Sequence, residues 1–168
     1  GTGFIGSHIA ARLLEDGHEV TLLARGSAGA SAAERVRRIM HWHGVAQEAW
    51  RRLRVVEGDL TAVSLGLDPA ERASLLAGTD EVVHCASVTS FAERKRDLLE
   101  RVNLSGLGRL FDFAAQAQRL AAFHHISTVY TAGRREGVCR EEWPDPVAGF
   151  HNPYEETKCG AELMVRER

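Results

Sequence analysis

Short apolar runs alternate with amphipathic stretches along the whole chain, and this order constrains the fold more than any other feature. Four runs are typical of buried strands: EVTLLAR (19–25), LRVVEGDL (53–60), EVVHCAS (81–87) and AAFHHIST (121–128). The stretches between them repeat apolar residues three and four positions apart, which is the period of a helix that covers a sheet. The alternation predicts an α/β protein with a doubly wound parallel sheet, the Rossmann fold.

Capping signals and periodicity place the helices between these strands. In the first helix Ile5, Ile9 and Leu13 recur every four residues, and Gly17 stands where a left-handed cap ends a helix. Ser31 is a predicted N-cap. The remaining helical signals are Val36, Ile39 and Met40 on one face, Asp68 and Pro69 at a helix start, the spacing of apolar residues over 97–118, and a helix from Pro153.

Composition narrows the class of protein. A chain of 168 residues with 44% hydrophobic and 26% charged side chains predicts one soluble domain. Its 21 basic and 23 acidic residues give a net charge of −2, which argues against nucleic acid or an acidic membrane as a partner. No run is long enough to span a bilayer, and we expect a cytoplasmic protein. The three cysteines have no C-x-x-C spacing and the histidine pairs lack a third ligand, so no metal site is predicted.

The first six residues form a glycine-rich loop of the pattern G-x-G-x-x-G: Gly1, Thr2, Gly3, Phe4, Ile5 and Gly6. The loop opens an amphipathic helix that a strand follows. In this context the backbone N–H groups at the start of the helix meet a pyrophosphate, and a β-carbon would block the approach. The loop therefore predicts a dinucleotide site.

The residues at the ends of the first three apolar runs bear on the choice of dinucleotide. Where a carboxylate would bind an adenosine ribose, the chain has Arg25, and a guanidinium suits the 2′-phosphate of NADP(H) better than NAD(H). A solvated arginine at a strand end is the alternative. Asp59 is a candidate acceptor for the adenine amino group or a turn former, and the small Ala86 and Ser87 leave room for a cofactor.

Tyr154 and Lys158 are four residues apart in NPYEETKCGAE and so lie on one face of a helix. A phenol with an ordinary pKa of about 10 is a poor acid at neutral pH, and an adjacent ammonium favours its ionised form. A tyrosine in this setting can protonate a carbonyl oxygen as a hydride arrives. The hydroxyls of Ser127 and Thr128, at the end of the preceding strand, are placed to hold the same oxygen.

The chain resembles the extended short-chain dehydrogenase/reductases. The resemblance runs in order through GTGFIG, GDL, VVHCAS, RVNLSG, HHISTVY and YEETK and covers nearly all 168 residues. It implies a catalytic set of Thr128 with Ser127, Tyr154 and Lys158, with Asn103 helping to position the lysine. It also implies a cofactor-binding set of Gly1, Thr2, Gly3, Phe4, Ile5, Gly6, Arg25, Asp59, Leu60, Cys85, Ala86, Ser87, Tyr154 and Lys158, in which the lysine also holds the nicotinamide ribose.

Within that family the chain is similar to the thioester and fatty acyl reductases, including the reductase domains of carboxylic acid reductases. The segment from Gly58 to Phe91, the HNPYEETKCGAE helix and a second arginine, Arg35, ten residues after Arg25, carry this similarity. It implies an NADPH-dependent reductase that acts on a carbonyl or an acyl thioester, with acyl-CoA or a carrier-protein thioester as substrate. Cys85 departs from the usual residue at its position, and we interpret it as a local packing change.

Two other functions remain open at the level of sequence. An NAD-dependent nucleotide-sugar epimerase or dehydratase shares the same Tyr/Lys chemistry, but Arg25 and the inserted segment weigh against it. A non-catalytic NADP-binding sensor typically loses the tyrosine or the lysine, and both are present here.

The family pattern begins before Gly1, since its longer G-x-x-G-x-x-G motif has one more glycine and a preceding strand. We therefore expect residues 1–168 to be a partial NAD(P)-binding Rossmann domain, without its first strand and its C-terminal substrate region. A sheet without that strand leaves backbone polar groups unpaired, so poor stability is expected for the isolated segment.

Overall fold

Helices and short parallel strands alternate in the computed structural model, which describes residues 1–168. The helices are α1 (Phe4–Glu15), α2 (Ala32–Trp42), α3 (Pro69–Gly78), α4 (Arg96–Leu99), α5 (Gly106–Ala114) and α6 (Pro153–Arg166). The strands are β1 (Val20–Ala24), β2 (Leu53–Glu57), β3 (Glu81–His84) and β4 (Ala122–His125). The predicted α/β class is confirmed. The chain divides into two compact units, Gly1–Pro69 and Ala70–Arg168.

In the first unit β1 and β2 are parallel neighbours, with Val20 opposite Leu53. Helices α1 and α2 share one apolar core with β1, and Leu14, Val36 and Met40 are fully buried in it. Each side chain of this size stabilises the fold by about 1.5–3 kcal/mol when it leaves water. The core therefore holds the carboxyl ends of β1 and β2 side by side, and candidate cofactor-binding residues follow both ends.

The predicted cap of α2 is confirmed as a reciprocal capping box. The Ser31 hydroxyl accepts a hydrogen bond from the Glu34 backbone N–H at 3.2 Å, and the Glu34 carboxylate accepts one from the Ser31 N–H at 2.7 Å. Gly17 has φ +92°, as its predicted position after α1 requires.

The buried stripe of α1 differs from the prediction. Gly6, Ser7, Ala10, Ala11 and Leu14 are buried, whereas Ile5 is 50% exposed and Ile9 and Leu13 are only partly buried. Small side chains let a helix approach a neighbouring strand closely, and periodicity of bulky residues does not detect such a stripe.

In the second unit β3 and β4 are parallel neighbours, with Glu81 opposite Ala122 and His84 opposite His125. Leu107, Phe111 and Ala161 form a core between α5 and α6, and the Phe123 ring of β4 stacks on Phe111 at 4.5 Å between ring centroids. This packing sets the position of α6, which carries the candidate catalytic pair.

Both strands of this sheet end earlier than the apolar runs predict. β3 stops at His84 rather than residue 87, and β4 stops at His125 rather than residue 128. The backbone leaves the sheet because it bonds elsewhere: Val88 bonds to the Asn103 side chain, and Thr128 caps a short 3-10 turn, Val129–Ala132. The candidate residues at both strand ends therefore lie in loops.

The helix predicted over 97–118 ends at Ala114 and contains a π-helical segment, Glu100–Ser105, between α4 and α5. A π segment widens the turn by one residue, and such segments are frequent at functional sites. Val102 and Asn103 are both buried in it. The wider turn places a polar side chain in the interior, which simple 3.6-residue periodicity does not predict.

Candidate functional site

The glycine loop of the first unit leads directly into α1. Gly3 is the N-cap residue of that helix, with extended backbone and no side-chain cap, and the first turn of α1 carries no acidic residue. A β-carbon built on Gly3 meets no atom within 4 Å, so the surface of the loop is open at this point. An exposed helix N-terminus with no carboxylate in its first turn favours an anionic ligand.

Arg25 directly follows β1, and Arg35 reaches the same strand end from α2. The Arg35 guanidinium donates to the backbone oxygen of Arg25 and, at 3.3 Å, to the hydroxyl of Thr2 in the glycine loop. The Arg25 side chain is 66% exposed, so a ligand can reach its guanidinium from solvent. The structure thus brings Arg35 together with Arg25, ten positions earlier, and with Thr2, 33 positions earlier.

Asp59 lies after β2, where the Gly58 N–H donates to the backbone oxygen of Ala24 at 3.0 Å. Its carboxylate accepts hydrogen bonds from the Thr61 N–H at 2.8 Å and the Thr61 hydroxyl at 2.9 Å, and lies 3.7 Å from the Arg25 guanidinium. The Thr61 N–H, followed by the Thr61 hydroxyl and Arg25, lowers the pKa of the Asp59 carboxyl. The carboxylate is therefore ionised at neutral pH, and the partly buried Leu60 follows it.

In the second unit, Cys85, Ala86 and Ser87 form the loop that leaves β3. Ala86 is exposed, and the Ser87 hydroxyl donates to the Asn103 side-chain oxygen at 3.2 Å. Burial raises the pKa of the Cys85 thiol, so it is a neutral packing group at neutral pH.

Asn103 connects the chain after β3 to α6: it makes three hydrogen bonds to Ser87 and Val88 and one to Thr157 on α6. Its oxygen accepts from the Val88 N–H at 2.8 Å and from the Ser87 hydroxyl, and its amide donates to the Val88 oxygen at 3.1 Å and the Thr157 hydroxyl at 3.2 Å. Its direct partner on α6 is thus the residue before Lys158 rather than the lysine. The predicted positioning role stays a prediction, and the structure supplies a route for it through Thr157.

Tyr154 and Lys158 lie one turn apart on α6 and are both buried, at 9% and 3% exposure. The start of α6 is fixed by Asn152, whose side chain accepts from the Glu155 N–H at 3.1 Å, and by the Glu155 carboxylate, which accepts from the His151 N–H at 2.8 Å. The Tyr154 ring lies 5.6 Å from the Phe91 ring and 6.3 Å from the Tyr130 ring, measured between centroids.

The Lys158 ammonium points to the end of β4. It donates to the backbone oxygen of Ile126 at 2.7 Å and lies 3.3 Å from Nε2 of His125. Burial lowers the pKa of Lys158, and the Glu162 carboxylate one turn along α6 opposes this shift. The lysine therefore combines a low solvent exposure with a charged neighbour on its own helix.

The two hydroxyl residues after β4 have different partners. Ser127 donates to the Glu162 carboxylate. The Thr128 oxygen accepts from the Tyr130 N–H at 3.3 Å, which leaves its hydroxyl hydrogen available for another acceptor. Residues 129–132 pack against α6, so Thr128 lies next to the helix that carries Tyr154.

Sequence reasoning missed His84, His125 and Glu162. His125 was considered only as a metal ligand, paired with His124, and His84 was not singled out. The structure stacks the rings of His84 and His125 with centroids 5.4 Å apart and places His125 against Lys158. Each histidine is a polar residue inside an apolar run, EVVHCAS (81–87) or AAFHHIST (121–128), and this was the signal available in the sequence. Cys159 is 1% exposed, and burial raises the pKa of its thiol, so it is a neutral packing group at neutral pH.

None of the helices combines the length and the apolar character that a membrane crossing requires.

Comparison with known proteins gives a family. The model of an NAD-binding family described as male sterility protein matches residues 1–168. Fatty acyl-CoA reductase 1 of Mus musculus is 28% identical over 160 residues, which cover 87% of this chain and 30% of that protein. The chain thus spans about 30% of the length of the curated relatives it matches.

Solved structures show the same fold. The terminal R domain from the myxalamid PKS-NRPS biosynthetic pathway superimposes with a TM-score of 0.82 at 24% identity, over 99% of this chain and 43% of that one. UDP-glucose 4-epimerase from Bifidobacterium longum, solved with NAD+ and UDP, gives a TM-score of 0.73 at 24% identity, over 99% of this chain and 46% of that one. Likenesses at this identity establish the Rossmann-type fold, which confirms the fold prediction.

Proposed function

The chain belongs to the male sterility protein family, within the extended short-chain dehydrogenase/reductases, and we propose that it forms the nicotinamide-cofactor segment of an NADPH-dependent reductase. The proposed reaction reduces a carbonyl or acyl thioester, and the substrate class is an acyl-CoA or a carrier-protein thioester. The relatives support this class, because the proteins that the chain matches include fatty acyl-CoA reductases. The observation that carries the proposal is the buried Lys158 ammonium one turn from Tyr154 on α6.

The residues of the first unit fit a phosphate-rich cofactor. The open surface at Gly3 and the start of α1 suit a pyrophosphate, because the helix presents N–H groups there and carries no carboxylate in its first turn. Arg25 suits a 2′-phosphate, since its ion pair with Asp59 is long and exposed and costs little to open. Arg35 holds the Arg25 backbone and Thr2 in place.

The residues of the second unit supply the proton and stabilise charge. When bound, NADPH provides the hydride that is added to the carbonyl carbon. Tyr154 gives its phenolic proton to the carbonyl oxygen, and the Lys158 ammonium stabilises the negative charge left on the phenol oxygen. Thr128 donates its free hydroxyl hydrogen to the same carbonyl oxygen. With a thioester, collapse of the adduct releases the thiol and leaves an aldehyde.

The test is a fluorescence titration of the full-length protein and its Arg25→Ala variant with NADPH and with NADH. We expect the wild type to prefer NADPH, and the variant to lose about tenfold or more in NADPH affinity, since a charge-assisted contact to a phosphate contributes about 1.5–3 kcal/mol. NADH affinity should not change. Arg38→Ala, an exposed arginine on the same helix as Arg35, is the matched control and should bind both cofactors as the wild type does.

Equal binding of both cofactors, unaffected by Arg25→Ala, would contradict the NADPH assignment. An NAD-dependent nucleotide-sugar epimerase would then become the better function, because the fold is shared with such enzymes.

A further inference from the structure

Two histidines face each other at the carboxyl end of the β3–β4 sheet. His84 is 4% exposed and lies opposite His125 in the strand register. Their rings stack with centroids 5.4 Å apart and planes inclined by 26°. Stacking fixes the plane of the His125 ring, so its ring nitrogens have defined directions.

One of these nitrogens, Nε2, faces the Lys158 ammonium, which can donate hydrogen bonds but cannot accept them. Nε2 of His125 lies 3.3 Å from the Lys158 ammonium, which carries only N–H groups. A hydrogen bond between them requires an unprotonated Nε2, so the ring must be neutral with its proton on Nδ1.

The other ring nitrogen of His125 has no partner in this arrangement. Nδ1 of His125 is buried and has no hydrogen-bond partner. A buried N–H without a partner destabilises a fold, and such groups in native structures call for an explanation. The contact between Nε2 and Lys158 explains the unpaired N–H, because this tautomer gives a buried ammonium a hydrogen-bond acceptor.

Burial and the Lys158 charge favour the neutral form of the His125 ring. Lys158 faces this ring from α6, and Glu162 follows one turn further along the same helix. His84 faces it from β3, Cys85 lies in the loop after β3, and the His124 side chain bonds to Glu81 at 2.9 Å. Burial, together with Lys158, lowers the pKa of His125 to about 4, and burial with His125 and Lys158 lowers that of His84 to about 3. Both rings are therefore neutral at pH 7.

We propose that His125 is a positioning residue for Lys158: its Nε2 and the Ile126 backbone oxygen are the two acceptors that hold the ammonium on the face of α6 that carries Tyr154, and His84 stacks behind it. The effect on catalysis rests on the proposed function, whereas the tautomer of the ring does not. His125 thus acts through the lysine and needs no contact with substrate.

The first test reads the tautomer directly. Long-range proton–nitrogen NMR of the ring nitrogens in the full-length protein at pH 7 should show His125 protonated on Nδ1, identified by the signals that vanish in His125→Gln. A His125 ring protonated on Nε2, or on both nitrogens, would overturn the proposal whether or not the protein is a reductase.

The second test compares three variants of the full-length protein in steady-state reduction. His125→Leu removes the acceptor and should lower kcat about tenfold, as expected for a lost hydrogen bond to a charged group, with little change in KM for the carbonyl substrate. His125→Gln restores an acceptor oxygen and should keep most of the activity. His124→Leu, on the exposed side of the same strand, is the matched control and should behave as the wild type.

Two results of this comparison would overturn the positioning role. One is wild-type kcat in His125→Leu. The other is an equal loss in His125→Leu and His125→Gln when both melt at the wild-type temperature. If His125→Leu does not fold, the NMR tautomer of His125 and the activity of His125→Gln decide whether the positioning role holds. A ring not protonated on Nδ1 alone, or a large loss of kcat in a stably folded His125→Gln, would overturn it.

Discussion

A lysine that is 3% exposed must find its hydrogen bonds inside the protein, and Lys158 finds them at the end of β4. Its neighbour Tyr154 is also buried, but among aromatic rings rather than polar groups. The two side chains thus receive different surroundings from one helix face. This difference suits an acid–base pair, because the phenol is shielded from water while the charge beside it is satisfied.

At the scale of the residue, Tyr154→Phe tests the proposed proton donor. Removing the phenolic hydroxyl should lower kcat by about 10²–10⁴-fold, the usual contribution of general acid catalysis, without changing the melting temperature. The measurement is steady-state reduction of an acyl thioester by the full-length protein.

Tyr130→Phe is the matched control for this variant. Tyr130 is 49% exposed and lies in ring contact with Tyr154, so the change removes a hydroxyl close by and keeps the ring. We expect it to retain activity within about threefold, since an exposed hydroxyl contributes little. Wild-type activity in Tyr154→Phe would remove the phenol from the mechanism.

At the scale of the element, the π-helical segment between α4 and α5 gives Asn103 its interior position. A regular turn would not aim this side chain both at the loop after β3 and at Thr157 on α6. Arg96 links the same helical run to α6 by a 2.7 Å contact with Glu156. The geometry of the site therefore depends on the contacts of residues 96–105 with α6.

Asn103→Leu tests this connection. The substitution preserves approximate size but leaves the Val88 N–H and oxygen without their side-chain partner, so the free energy of unfolding should fall by about 1–3 kcal/mol or more. Urea denaturation of the full-length protein measures it. Ser105→Ala, an exposed position in the same π segment, should change stability by less than about 0.5 kcal/mol. Equal stability of the two variants would show that the Asn103 contacts do not stabilise the fold.

At the scale of the whole molecule, the buried histidines predict how stability depends on pH. Their folded-state pKa values, about 3 for His84 and about 4 for His125, lie below the ordinary value of 6.5. Between pH 6.5 and these values the unfolded chain binds more protons than the folded one, so stability falls as pH falls. The slope from His84 is up to about 1.4 kcal/mol per pH unit, and that from the less buried His125 is smaller.

Urea denaturation of the full-length protein at several pH values between 7 and 4.5 measures this slope. A variant with His84→Gln and His125→Gln carries no imidazole at the stack and should show a flatter profile over the same range. Parallel profiles of wild type and variant would contradict the assignment.

Much of the architecture could be predicted from sequence because it rests on local patterns. Strand runs, the Ser31 cap, the start of α3 at Pro69 and the turn at Gly17 all depend on side chains within a few residues of one another. The prediction was wrong where packing between elements decides: the small-residue stripe of α1 and the carboxyl ends of β3 and β4. The site residues were predicted as a set, and their catalytic and cofactor-binding roles stay predictions.

The sequence by itself determined the alternating α/β order, the glycine loop at the start of α1 and the four-residue spacing of Tyr154 and Lys158, because each is a property of neighbouring residues in a regular element. Only the tertiary structure decided that Arg35 reaches Thr2, that Asn103 bonds to Val88 and Thr157, and that His125 lies against Lys158. These contacts join residues between 15 and 54 positions apart. Their geometry follows from the register of parallel strands and the packing of helices on them, which no local pattern encodes.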